Sequence, residues 1–196
     1  MADYIQHTLT KAEKEARRAE RLRQQEQERQ AKIAALPDRV HGIPVVEVSY
    51  TAADKKHVNE MRHEFTGMRR AFLKELAATQ TDALKQIGFS DNMIALLAKG
   101  ETPNGFNVHH KMPLAGGGKN EFSNFILIKN DPYHTDIHKV SDLQISAMNP
   151  GETKTVKIPM PQGSIFIPPE QQQTRTQTAI KSPVSTVLLQ KMQKTR

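Results

Sequence analysis

Apolar residues recur every three or four positions between residues 52 and 87, at Val58, Met61, Phe65, Met68, Phe72, Leu73, Leu76 and Leu84. That spacing puts them on one face of a helix, so the stretch predicts one long helix or two in sequence. Gly88 ends the pattern, Ser90 offers an N-cap oxygen, and a short helix over residues 91–99 is stopped by Gly100. Upstream, Val45-Val46-Glu47-Val48-Ser49-Tyr50 alternates and carries β-branched residues, which suits a short strand. Residues 37–44, PDRVHGIP, read as a break. Residues 8–36 are strong helix formers with interleaved charges, and Ala12, Ala16 and Ala19 form only a thin stripe. They predict a solvated helix or a weak coiled-coil arm.

Downstream the period changes. Residues 106–111 form an extended candidate, and residues 115–119, AGGGK, must be a turn or loop, because three glycines cost too much backbone entropy in a helix or strand. Phe125-Ile126-Leu127-Ile128 reads as a buried second strand. Asp131 as N-cap and Pro132 at the first helical position start a helix expected to run to about Met148. Residues 153–158 and 164–167 flank Met160-Pro161-Gln162-Gly163 and predict a hairpin. From Pro168 onward the chain turns to Gln, Thr, Ser and Lys, a composition expected to be mainly disordered.

Composition narrows this only a little. Apolar residues make up 37% of the 196, enough for one core with two solvated ends. There is no cysteine, so disulfides and thiolate metal sites are excluded, and any metal must sit on nitrogen and oxygen. No apolar h-region of a Sec signal and no stretch long enough to span a membrane is present. The net charge of +7 suggests a nucleic-acid partner, but it is unevenly spread. Residues 169–196 hold five Lys or Arg against one acid, whereas residues 37–168 hold fifteen against fourteen. Histidine is therefore the residue type that bears on function.

Four of the eight histidines fall in one segment, as His109-His110 and as the pair His134 and His138. Four residues apart on a helix, the last two lie on one face and can hold one divalent ion. Consecutive residues on a strand point to opposite sides, so one of His109 and His110 can face that ion and the other a substrate cleft. A free imidazole there suits a general base and needs an acceptor to hold its ring, for which Asn124 is the best candidate. His57 and His63 have no such company and read as surface or packing residues.

The succession His109-His110-Lys111-Met112-Pro113, Gly116-Gly117, Asn124, then His134-Thr135-Asp136-Ile137-His138 resembles the HNH, or ββα-metal, nuclease motif. The likeness is greatest to the DNase domains of nuclease colicins and S-type pyocins. The flanks, including GFSDNMIALLAKG and PGETKTVKIPMPQG, are similar to toxin tips of secretion-system effectors, and the resemblance covers about residues 50–168. It implies that His109, His134 and His138 bind one divalent ion (Mg2+, Zn2+, Ni2+ or Mn2+), that His110 is the general base and that Asn124 orients it. It also implies a 5′-phosphate and a 3′-hydroxyl as products. Colicin-like members add an arginine and an acidic residue near the site, and Arg69, Arg70, Lys111 and Lys129 are candidate cations for binding substrate.

The expectation is thus an α+β protein. A charged helical arm spans residues 1–36, an HNH nuclease domain spans 37–168 with its ββα-metal core at about 106–149, and a basic tail spans 169–196. Its expected function is metal-dependent, largely sequence-independent DNA hydrolysis as an antibacterial toxin or bacteriocin, because a near-neutral core binds mostly through phosphates. An RNase on the same scaffold and a metal-stapled nucleic-acid-binding module are the alternatives. Expected partners are DNA or RNA, a cognate immunity protein and a larger delivery protein. The chain would be made in the cytoplasm, exported by a specialised secretion system or as a bacteriocin, and active in the target-cell cytoplasm.

Overall fold

A computed structural model describes residues 10–169. The chain divides into two units, Met1–Pro37 and Asp38–Arg196. In the first, Thr10 and Glu13 form a capping box that opens helix α1, Lys11–Ala34. No residue of α1 is buried, which fits a sequence with too few large apolar side chains to make a packing face.

The second unit is α+β. Strand β1 (Arg39–Val40) turns through His41 and Gly42, both at positive φ, into β2 (Ile43–Thr51). Positive φ at both turn positions matches the right-handed twist of a two-residue hairpin, so the stretch expected to be a break contains a strand pair. Asp54 caps α2 (Lys55–Thr79), and α3 (Thr81–Gln86) follows, making two helices where the periodicity allowed one or two. Helix α4 (Asp91–Lys99) has Ser90 as its N-cap and Gly100 at φ 81° as its C-cap, as its sequence predicts. Strands β3 (Phe106–His110) and β4 (Phe125–Lys129) pair antiparallel, and helix α5 (Thr135–Ile145) comes next. Strand β5 (Thr153–Pro159) closes the order.

Strand β4 is the centre of the unit, with Phe125, Ile126, Leu127 and Ile128 all fully buried. Its two faces meet different partners. Phe125 and Leu127 join Phe72, Leu73, Leu76, Leu84 and Leu97 in a core built with α2, α3 and α4. Ile128 points the other way, to Ile43, Tyr133 and Ile137. A third cluster joins Tyr50, Val156 and Ile158. Each such side chain contributes about 1.5–3 kcal/mol when fully buried, so these contacts, rather than any single polar bond, hold the strands in place.

Two expectations are corrected. The hairpin between residues 153–158 and 164–167 does not form. Strand β5 instead pairs antiparallel with β2, from Val45 opposite Pro159 to Thr51 opposite Thr153. Pro159 and Pro161 have no N–H to donate, so the chain leaves the ladder there. It returns as a parallel bridge of Ile165 beside Leu127, with Ile165 buried in the first core. The start of α5 also differs. Asp131 is extended, and Asn130–His134 winds as one wide turn that buries Tyr133 against Ile43, Ile128 and Ile137. The Asp131 carboxylate accepts from the Thr135 hydroxyl (2.7 Å) rather than capping a backbone N–H, and regular helix runs from Thr135 only to Ile145. Beyond Pro169 the expected tail lies outside the described residues. Among the described residues no helix is long and apolar enough to cross a membrane.

Candidate functional site

The register of β3 against β4 decides where each histidine goes. His109 lies opposite Ile126 and His110 opposite Phe125, so the two rings fall on opposite faces of the two-stranded sheet. His109 turns toward α5, where His134 ends the wide turn and His138 lies one helical turn further on. The ring centroids of His109, His134 and His138 are 4.6–5.3 Å apart. Each ring offers a nitrogen, and these three atoms lie within 4.8 Å of one another. Nε2 of His134 and Nε2 of His138 are 3.1 Å apart.

That separation has a chemical meaning. Two nitrogens about 2.0–2.1 Å from one tetrahedral ion are about 3.3 Å apart, so the pair already spans an edge of such a site. His109 supplies the third corner. Its Nε2 is sealed from solvent and has no hydrogen-bond partner among the described residues, an arrangement that costs about 1–3 kcal/mol unless something accepts the lone pair or the proton. Burial first, then the neighbouring His134, His138 and His110, push the His109 pKa down to about 3. Burial also lowers that of His134. Neutral imidazole is the form that ligates a metal, so the donor set suits a divalent cation such as zinc.

On the other face His110 packs against the rings of Phe65 (4.3 Å between centroids) and Phe125 (5.0 Å). Its Nε2 lies 3.0 Å from Oδ1 of Asn120. Burial lowers its pKa, and the Asn120 hydrogen bond partly opposes that. His109, His110, His134 and His138 all border one cavity of about 320 Å³, together with Tyr50, Arg62, Phe65, Ser141, Asp142 and Ile145. Gly116 makes room beside Tyr50, since a Cβ there would stand 2.2 Å from the Tyr50 ring.

Asn124 is not the partner of His110. Its Oδ1 accepts from the Met112 backbone N–H (2.8 Å), and its Nδ2 donates to the carbonyls of Met112 and Lys119 (3.0 Å each). Asn124 therefore ties together the ends of the glycine loop. Its backbone continues the β3–β4 pairing through Lys111, which leaves its short side chain over the loop and out of reach of the His110 ring.

The four expected cations also stand apart from the cavity. Lys111 donates its ammonium to the Ser123 carbonyl (2.7 Å) and is partly desolvated, which lowers its pKa. Lys129 and Arg70 are exposed, and Arg69 has its Nε buried. The cation that lines the cavity is Arg62, one turn before Phe65 on the same face of α2. It was legible in principle, since Val58, Met61 and Phe65 mark that face, but nothing in the sequence says which element covers the histidines. Asp142, four residues after His138, was equally recoverable from helical spacing. His57 and His63 are exposed, as expected.

The uncharacterized protein YhhZ of Escherichia coli (strain K12) is 34% identical to this chain over 128 residues, which cover 65% of this chain and 32% of that protein. The chain thus spans about a third of the relative's length. No protein-family model and no solved structure matches it.

Proposed function

We propose that the chain is a metal-dependent endonuclease of the HNH, or ββα-metal, type that hydrolyses nucleic acid, DNA first, and serves as an antibacterial toxin. The observation that carries this reading is the division of labour across β3. Three imidazole nitrogens converge on one side, a fourth imidazole is held by an amide on the other, and all four rings border the same cavity. A site that only stapled the fold would have no use for the fourth ring.

His109, His134 and His138 hold the ion in this reading. When bound there, it would supply Lewis-acid stabilisation of charge on the scissile phosphate and the leaving 3′-oxygen. His110 takes a proton from the attacking water as the new P–O bond forms and the P–O3′ bond breaks. Arg62 donates to a phosphate oxygen from the α2 side of the cavity, and Lys55 and Asn59 extend that line of donors along the helix. All three contact phosphate rather than base edges, which favours cleavage with little sequence preference. Use as a toxin requires a cognate immunity protein in the producing cell, and delivery by a larger protein or secretion machine follows from the same reading.

Plasmid DNA and a structured RNA, incubated with the full chain in EDTA and after adding back Mg2+, Mn2+, Ni2+ or Zn2+, test the proposal. Nicking and linearisation of plasmid that EDTA abolishes and a divalent ion restores is the expected result. Cleavage of RNA alone would make it a ribonuclease, and tight metal binding without cleavage of either would leave a metal-stapled module.

A further inference from the structure

We propose that Asn120 is the positioning residue for His110, fixing its ring as the Nε2–H tautomer so that Nδ1 is the nitrogen that takes the proton. The reaction this nitrogen serves rests on the nuclease reading above; the tautomer itself does not. Asn120 makes two contacts. Its Nδ2 lies 2.7 Å from the backbone carbonyl of Met61 on α2, and its Oδ1 lies 3.0 Å from Nε2 of His110.

A carbonyl can only accept, so the NH2 end of the Asn120 amide must face Met61. That leaves the amide oxygen facing His110. The oxygen also only accepts, so Nε2 must carry the ring's proton. A neutral imidazole has one such proton, and Nδ1 is left with a free lone pair. Flipping the amide would set oxygen against oxygen at Met61, 2.7 Å apart. The rings of Phe65 and Phe125 pack against the imidazole and resist its rotation. Among the described residues the hydrogen bond of the His110 ring is the one at Nε2, and the ring borders the cavity.

The loop delivers Asn120 to this spot. Asn124 holds the carbonyl of Lys119, the residue before it, while Gly118 donates to the Pro113 carbonyl (3.0 Å). Any Cβ at Gly118 would lie 1.9 Å from the Met112 carbonyl oxygen, so this close approach needs glycine. Asn124 therefore acts on the base at one remove, through the position of Asn120.

Long-range 1H–15N correlation spectra of the histidine rings at pH 8, on the full chain in EDTA and with Zn2+, read the tautomer directly; His110→Ala identifies the His110 signals. The expected spectrum has Nε2 protonated and Nδ1 bare in both states. A protonated Nδ1, or a shift averaged over both tautomers, overturns the proposal. Asn120→Ala should average the tautomers and lower kcat about 10- to 100-fold with KM and calorimetric metal affinity unchanged. Asn120→Asp, which keeps an acceptor for Nε2 but sets an oxygen against the Met61 carbonyl and so loses that anchor, should keep Nε2–H and give a kcat above the alanine variant and below the wild type. A folded Asn120→Ala protein with wild-type kcat and an unaltered His110 spectrum also overturns it. If Asn120→Ala does not fold, the wild-type and Asn120→Asp spectra decide. A chain with the expected spectrum that cuts no nucleic acid would sink the nuclease reading and leave the ring assignment standing.

Discussion

His109 and His110 are neighbours in the chain, yet β3 sends one toward α5 and the other toward α2, and the two environments assign them different chemistry. On the α5 side the company of His109 is two more imidazoles, and its buried Nε2 is without a partner among the described residues. On the α2 side His110 lies between aromatic rings and is held by an amide that is itself anchored to a helix. Residue type is identical. What differs is whether the polar atom is matched by the protein or left for a ligand, and that is a property of the faces, not of histidine.

The sharpest way to break this comparison is His110→Ala. Loss of a general base lowers cleavage by about 100- to 10,000-fold, whereas metal affinity measured by calorimetry should stay close to wild type. If metal binding disappears as well, the two faces do not divide the work. Next in size is His134→Ala. At a metal concentration 100 times its Kd, binding stabilises the native chain by about 2.7 kcal/mol, which the melting temperature reports as a metal-dependent rise of several degrees. That rise should vanish in His134→Ala and shrink less in His138→Ala, whose ring is exposed. An unchanged rise in His134→Ala would remove it from the ligand set.

A smaller effect separates the faces by pH. The folded pKa of His109, about 3, lies below the ordinary imidazole value of 6.5, so the unfolded chain binds the proton more readily. Stability from this group is therefore complete above about pH 6.5 in metal-free protein, and falls as pH drops toward 3, by up to about 1.4 kcal/mol per unit. Urea titrations between pH 7 and 4 should show a steeper loss for the wild type than for His109→Gln. Equal slopes would mean that burial of His109 is not what unsettles the acid form. The smallest expected change is Arg62→Gln, which should raise KM about fivefold, on the order of 1 kcal/mol, with kcat little altered. A loss confined to kcat would place Arg62 at the reacting phosphate instead.

Periodicity and covalent geometry carried much of this protein on their own. Alternation along a strand separates His109 from His110, a four-residue step on a helix joins His134 to His138, and Ser90 with Gly100 bounds α4; each follows from a few adjacent residues. Charge interleaving in α1 likewise needed no knowledge of any other segment. The tertiary structure alone decided that β5 pairs with β2 and not with the residues after it, that Arg62 rather than Arg69 or Arg70 reaches the cavity, and that Asn120, not Asn124, holds His110. These choices depend on distances between elements far apart in the chain. The amide of Asn120 bonds a carbonyl 59 residues away, and the β2–β5 ladder spans more than a hundred residues between Thr51 and Thr153. Two asparagines four residues apart offer the same donors and acceptors, and only the packing of α2 against β3 and β4 sets which of them lies within 3 Å of the ring.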